Sequence, residues 1–342
     1  MSDVPAPTVT AVIVAYGAEP YLEDAVRAVL ASTGVRPDVV VVDNGCTGDA
    51  VQRVKDHDGV RVITPAGNTG FTGGCRLGAA DATTDVVVFV NSDAIVAPTA
   101  LGRLAEVVCE PAVGAAMGGI RLADSPELMN SAGNPIHYLG LVWAGAFGEP
   151  AGSHAERRTV PCMSGATFAI RTALWRELDG FPLEYFAYHE DTELSLRLWQ
   201  RGRTVEFVPD AVVLHHYEFA RNPRKNYLLE RNRLALVLTT YQGRTLAVLA
   251  PMLILAEGAL VAASILGGWA GPKLRGYGWL WRNRAWVRAR RAQLQRERTV
   301  DDAALAWLYA GKIDPANTEA PPGTSIFNAI AGPYWRMARR LL

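Results

Sequence analysis

The chain has 342 residues, 49% of them hydrophobic, enough for one large domain or two ordinary ones with a sizeable core. Its 34 Lys and Arg match 34 Asp and Glu, and zero net charge argues against a general nucleic-acid binder. Cys46, Cys75, Cys109 and Cys162 stand far apart with no C-x-x-C pair, as expected of reduced thiols in the cytoplasm, and no signal peptide is expected from the short polar start.

Residues 9–15 form an apolar run that reads as a buried strand, followed by a loop over 16–20. From residue 21 to 32, Leu22, Ala25, Val26, Val29 and Leu30 share one helical face. Residues 39–42 read as a strand ending in the turn signal Asp43-Asn44-Gly45. A short helix over 49–56 and a third strand over 60–63 follow. The glycine-rich stretch from Gly67 to Gly78 leads into a helix expected over about residues 75–82. It is neither a Walker A loop nor G-x-G-x-x-G. Its backbone N–H groups suit an anion, and a mobile loop is the plainer alternative.

Residues 86–90 are continuously apolar, the mark of a strand buried on both faces. Asn91-Ser92-Asp93 comes next. A polar cluster past the carboxyl end of such a strand lies where open α/β sheets bind ligands. Asn91 and Asp93 can aim oxygens at one hard cation; a simple turn would use the same residues. A helix over 99–108 and a strand over 113–120 complete an alternation that predicts an α/β class, a doubly wound sheet with right-handed crossovers.

Residues 123–160 have little periodicity and read as a long excursion, a candidate wall of a substrate pocket. Alternation over 161–171 predicts a strand, with a helix over 172–178. Another helix starts at Glu190, with Glu190, Asp191 and Glu193 in its first turn. These acids complement the helix dipole, and one can serve as a general base. The zinc motif H-E-x-x-H fails because residue 193 is Glu. Two short strands are expected over 205–208 and 211–214, the second ending in His215-His216. A histidine at a strand end is a structural residue or, beside an Asn-Ser-Asp cluster, a metal ligand. The five cations Arg221, Arg224, Lys225, Arg231 and Arg233 suit a diphosphate, or a solvated helix face.

Residues 246–270 are mostly apolar and long enough to span a bilayer, but Glu257 near their middle would cost on the order of 2–3 kcal/mol or more in lipid. Residues 273–298 hold nine Lys or Arg and one acid, interleaved with Trp279, Trp281 and Trp286. That combination marks a membrane–water interface. In-plane attachment, a span or hairpin, and a buried helix with a basic outer face all fit.

Six segments together carry a family resemblance: residues 12–16, 41–45 and 67–74, Asn91-Ser92-Asp93, residues 189–194, and His215-His216 with residues 221–225. Over residues 8–242 the chain resembles family 2 glycosyltransferases of the GT-A fold, close to rhamnosyltransferase-like bacterial members. The resemblance implies a mixed sheet flanked by helices over residues 1–242; residues 243–342 read from their composition as a C-terminal membrane-associating helical region. It implies nucleoside contacts from Ala15, Tyr16 and Asp43, and nucleotide contacts from Asn68, Gly70 and Gly73. Asn91, Ser92, Glu190, Arg224 and Arg231 are further expected substrate contacts. Asp93 and His215 would bind Mg²⁺ or Mn²⁺, and Asp191 would be the base that deprotonates the acceptor hydroxyl. Asn91 departs from the acidic first position of the D-x-D signature, which weakens the expected metal affinity. One base and no second carboxylate nucleophile favour inversion. The implied partners are a dTDP-, UDP- or GDP-sugar, a glycan or polyprenyl-linked acceptor, and the cytoplasmic face of the cell membrane; a homo-oligomer is compatible. A nucleotidyltransferase and a non-catalytic nucleotide-sugar binder are the competing expectations.

Overall fold

The structure, a computed structural model, describes residues 7–217, 224–317 and 323–342. Its frame is a ten-stranded sheet. In chain order the first half runs β1 (Val9–Gly17), α1 (Leu22–Leu30), β2 (Pro37–Cys46), α2 (Ala50–Val54), β3 (Val60–Ile63), α3 (Gly70–Ala79), β4 (Val86–Asn91), β5 (Ala94–Val96), α4 (Ala100–Val108) and β6 (Val113–Leu122). Next come β7 (Ser125–Ser131), β8 (Ile136–His137), β9 (Arg158–Thr159), β10 (Thr167–Arg171), α5 (Thr172–Glu177), α6 (Glu190–Gln200) and β11 (Thr204–His215). The strand order is β3-β2-β1-β4-β10-β6-β11-β5. β3, β2, β1 and β4 are parallel, because α1, α2 and α3 carry the chain across between successive strands of this set. The valines of β1, β2 and β4 are buried, as a sheet covered on both faces requires.

The second half departs from simple alternation. β10 is antiparallel to both β4 and β6, so the sheet is mixed. The two strands expected over 205–208 and 211–214 are one strand, β11, with an irregularity between Val208 and Val212 where Pro209 interrupts the ladder. The strand expected over 161–171 is shorter and begins at Thr167; residues before it form a loop at the candidate site.

The glycine-rich stretch is the largest revision. Helix α3 begins at Gly70, five residues before its expected start. Its glycines are packing residues. A methyl group on Gly74 would come within 2.6 Å of Val14, and one on Gly78 within 2.3 Å of Val12. The helix therefore lies against β1 at a distance that only hydrogen side chains permit.

The C-terminal third is helical: α7 (Lys225–Thr240), α8 (Gly243–Leu266), α9 (Ala270–Arg282), α10 (Arg284–Glu297) and α11 (Thr324–Ala338), with the short strand β12 (Tyr309–Ala310) before α11. β12 pairs with β8, inside the excursion over 123–160. Tyr138 stacks on Trp335 at 5.0 Å and donates its hydroxyl hydrogen to the carbonyl of Ala331. Leu249, Met252, Ala256, Tyr309 and Trp335 join the same apolar cluster as the sheet.

Helix α8 is long and apolar enough to cross a membrane by length and composition. Its one acid is answered from the protein side. Glu257 pairs with Arg233 of α7 and, at 3.1 Å, with Lys273 of α9, and accepts from the Tyr277 hydroxyl at 2.6 Å. Thr245, Leu249, Met252 and Ala256 face the protein. Ile254, Leu255, Ile265 and Leu266 face away, Leu266 being 90% exposed.

Candidate active site

The carboxyl ends of β1, β2 and β4 converge on one edge of the sheet, beside the end of β11. A cavity of about 580 Å³ opens there, lined by Tyr16, Asn44, Asn68, Gly70, Asn91 and Asp93 among others. Its walls are tied by amides. The buried Asn44 donates to Asn68 Oδ1 at 3.1 Å and to the Gly70 carbonyl at 2.9 Å. It accepts from the Thr69 N–H and hydroxyl. Asn68 Oδ1 accepts from the Gly70 N–H at 2.8 Å. Glu19 accepts the Tyr16 N–H at 2.8 Å and so shapes the first loop.

Asp93 and His215 meet at the rim. His215 Nε2 lies 3.2 Å from Asp93 Oδ1, and its Nδ1 is 3.0 Å from Asn130 Oδ1. Asn130 fixes the ring of His215, and His215 and Asp93 would together offer a nitrogen and an oxygen to a hard divalent ion, which would neutralise charge on a bound diphosphate. Among the described residues no group of three or more His, Cys, Asp or Glu forms a complete cage.

A second cavity, about 440 Å³, shares Phe71, Asn91, Tyr188 and His215 with the first and extends to Asn130, Trp143, Glu190 and Asp191. Residues of the aperiodic 123–160 stretch, Asn130, Ser131, Asn134 and Trp143, form one wall. The loop before α6 forms another. Phe186, Tyr188 and His189 all have positive φ, near 65–71°, which costs on the order of 1–2 kcal/mol per side chain. Asn232 holds this loop by donating to the carbonyls of Tyr185, Ala187 and Tyr188 at 2.8–2.9 Å. Gly70, with φ +73°, leaves the space taken by the Phe186 carbonyl, which a methyl there would meet at 2.3 Å.

Asp191 Oδ2 accepts the Gly165 N–H at 3.1 Å; Oδ1 accepts the Thr192 N–H at 2.7 Å and its hydroxyl at 3.2 Å. Burial raises the Asp191 carboxyl above the usual range against these bonds. Burial first, then the charge of Asp191, pushes Glu190 up to about 8. Lys225, at the start of α7 on the same cavity, is lowered to about 8 by burial.

Of the expected site residues, Tyr16, Asn68, Gly70, Ser92, Asp93 and Arg224 line the first cavity, Glu190 and Asp191 the second, and Asn91 and His215 both. Four do other work. Ala15 has a fully buried side chain paired in register with Asp43. Asp43 Oδ1 accepts the N–H groups of Gly45 and Cys46 and shapes their turn. Gly73 packs on Thr69, where a methyl would clash at 2.6 Å. The expected diphosphate role of Arg231 is corrected: its buried guanidinium donates to the Glu184 and Tyr185 carbonyls and stacks 4.4 Å from the Trp279 ring. Arg221, Asn222 and Pro223 lie outside the described residues.

Asn44, Asn130 and Asn232 were missed. Asn44 read only as part of a turn signal, and nothing local distinguishes the other two. Their partners stand 24 or more residues away.

A mixed sheet with this polar carboxyl edge is the GT-A glycosyltransferase architecture. The crystal structure of GalNAc-T7 with UDP, GalNAc and Mn²⁺ superposes with a TM-score of 0.57 at 19% identity, over 68% of this chain and 49% of that one. The mannosyltransferase PcManGT from Pyrobaculum calidifontis, in complex with GDP-Man and Mn²⁺, superposes at 0.50 and 17% identity, over 98% and 84%. These likenesses establish the fold. Residues 5–239 match the family described as glycosyltransferase like family 2, and the chain belongs to that family; it is a glycosyltransferase. Among curated relatives, an N-acetylglucosaminyl-diphospho-decaprenol L-rhamnosyltransferase of Mycobacterium tuberculosis is 27% identical over 230 residues, 60% of this chain and 75% of that protein. Family membership sets aside the nucleotidyltransferase and the non-catalytic binder.

Proposed function

We propose that the enzyme moves a sugar, with inversion, from a nucleoside diphosphate to a hydroxyl of a polyprenyl-linked or other cell-envelope glycan. The observation that carries this reading is the joining of two cavities at His215 and Asn91, with an Asp93–His215 pair on one side and Asp191 on the other. The nucleotide occupies the cavity walled by Tyr16, Asn44 and Asn68. Asp93 and His215 would hold Mg²⁺ or Mn²⁺, which when bound neutralises charge on the leaving diphosphate. Arg224 stands at the rim of the same cavity and suits phosphate oxygens. Asp191 Oδ1 or Oδ2 takes the acceptor proton. The N–H groups of Gly165 and Thr192 hold its carboxylate in place and steady its charge before the transfer. A single positioned carboxylate on the face opposite the diphosphate gives inversion.

The acceptor class is supported by the decaprenol-linked substrate in the name of the mycobacterial relative and by the outer face of α8. Glu257 is answered by α7 and α9, and the outer face of α8 offers Ile254, Leu255, Ile265 and Leu266 to a membrane surface. Arg275, Arg282 and Arg284 are exposed on the next helices and suit anionic lipid on the cytoplasmic leaflet. Residues 243–342 are thus read as a membrane-associating region.

The test is transfer from a panel of dTDP-, UDP- and GDP-sugars to a polyprenyl-diphosphate glycan in anionic vesicles, with Mg²⁺ or Mn²⁺. Asp191→Asn should lose about 10²–10⁴-fold in kcat while still binding the nucleotide. Undiminished transfer by that variant would remove Asp191 from the role of base.

A further inference from the structure

Glu190 and Asp191 are adjacent carboxyl groups on one cavity wall with unequal surroundings. A methyl group on Gly165 would lie 3.5 Å from Asp191 Oδ2 and 3.8 Å from Glu190 Oε1, so both carboxyls crowd the same point. Asp191 accepts three hydrogen bonds from Gly165 and Thr192. Glu190 is 6% exposed, and its Oε2 has no hydrogen-bond partner although it is buried.

Apart from its own backbone N–H, which favours the charged form but is outweighed by burial, the groups around Glu190 do not compensate a charge on it. Cys75 of α3 and Cys162 of the loop before β10 are fully buried thiols, pushed well above their ordinary range first by burial and further by the acids at 190 and 191. His189, next in the chain, is lowered to about 4, chiefly by burial, and is neutral near pH 7. Lys225 and His215 stand on other walls of the cavity. The nearest charge is Asp191 itself. Two neighbouring carboxylates in a recess poor in water do not both ionise at low cost. The charge goes to the group that already has donors.

We infer that Glu190 is held as a neutral carboxylic acid, so that the pair shares one proton, with the charge on Asp191 and the Glu190 hydroxyl, on Oε1 beside Gly165 rather than on the enclosed Oε2, available as a hydrogen-bond donor to a hydroxyl oxygen of the donor sugar or acceptor. This rests on the reading of Asp191 as the base. Base and donor are then two neighbouring groups distinguished by surroundings alone. Glu190 keeps its proton below about pH 8 and loses it above. A second negative charge then opposes the diphosphate, and the hydrogen bond is lost.

Two measurements test this. Infrared difference spectra of the free protein, wild type minus Glu190→Gln, should show a carboxylic-acid C=O band at pH 6.5 that is gone by pH 9.5. In Asp191→Asn the disappearance of that band should move to lower pH, because the neighbouring charge is gone. No acid band at pH 6.5, or a titration that Asp191→Asn leaves in place, overturns the inference. The second measurement is the pH dependence of kcat/KM, taken in a Lys225→Arg background because Lys225 lines the same cavity and is also lowered to about 8. That protein should fall about tenfold per pH unit on an alkaline limb, and adding Glu190→Gln should remove the limb whatever the height of its plateau. A limb that persists once Glu190→Gln is added overturns the inference. If the wild type transfers sugar from no donor, the transferase reading fails, and the infrared result still decides the state of Glu190.

Discussion

Arg288 and Arg290 sit two residues apart on α10 and should behave oppositely when removed. Arg290 is buried. Its Nε and Nη2 lie 3.1 and 2.5 Å from Glu193 Oε1, while Glu193 Oε2 accepts from Arg197 Nε at 2.7 Å. Glu193 is on α6, two residues after the proposed base. Removing one partner of a buried ion pair costs about 3–5 kcal/mol. Arg197 stays beside Glu193 in Arg290→Ala, which points to the low end, about 3 kcal/mol. In a chain of this size that corresponds to roughly 6 °C in Tm, taking about 2 °C per kcal/mol. Arg288 is exposed. Arg288→Ala should stay within about 0.5 kcal/mol of wild type. It should instead weaken binding to anionic vesicles about fivefold, at about 1 kcal/mol per basic residue near the surface. The assays are thermal melts by circular dichroism and vesicle flotation on both variants. If Arg290→Ala melts within a degree of wild type, the coupling of α10 to α6 is wrong. If Arg290→Ala and Arg288→Ala lose vesicle binding equally with no difference in Tm, the whole helix is a simple basic surface.

Asn130→Ala should weaken Mn²⁺ binding about 10–100-fold, the usual cost of removing a partner that orients a ligating histidine; titration of Mn²⁺ with nucleotide diphosphate present measures it, and unchanged affinity removes Asn130 from that role. Stability should also fall in acid. His137 is lowered to about 3 and His189 to about 4, in both cases mainly by burial. Each is neutral when folded and takes up a proton on unfolding below about pH 6.5. Each should therefore cost about 1.4 kcal/mol per pH unit as pH falls from 6.5 toward its folded value. Glu190, raised to about 8, gains stability over the same range and offsets part of this, so the measurement is the change in urea midpoint from pH 7 to pH 5 in wild type against His137→Asn and His189→Asn; variants that lose as much stability in acid as wild type refute it.

The parallel half of the sheet was legible because its signals are local. The valine runs before Asp43 and Asn91 mark strands buried on both faces, and the polar residues after them mark the ligand edge. Asp93, Asp191 and His215 were legible as candidates because each stands at a strand or helix end. The start of α3 was not, since glycine is a poor helix former and only contact with Val12 and Val14 explains its use there. Nor was the fate of the C-terminal cations. Composition offers Arg231 and Arg233 to a diphosphate or a solvated helix face, and Lys273 and Arg290 to a basic membrane interface, while the packing buries all four on carbonyls and carboxylates up to 97 residues away. The sequence by itself thus determined the parallel strands of the first half, the polar edge and the glycosyltransferase family, all of which are written in short-range patterns. Only the tertiary structure decided which charges are consumed inside the protein and which of the two adjacent acids has the donors to stay ionised, because hydrogen-bond partners are set by packing between distant segments.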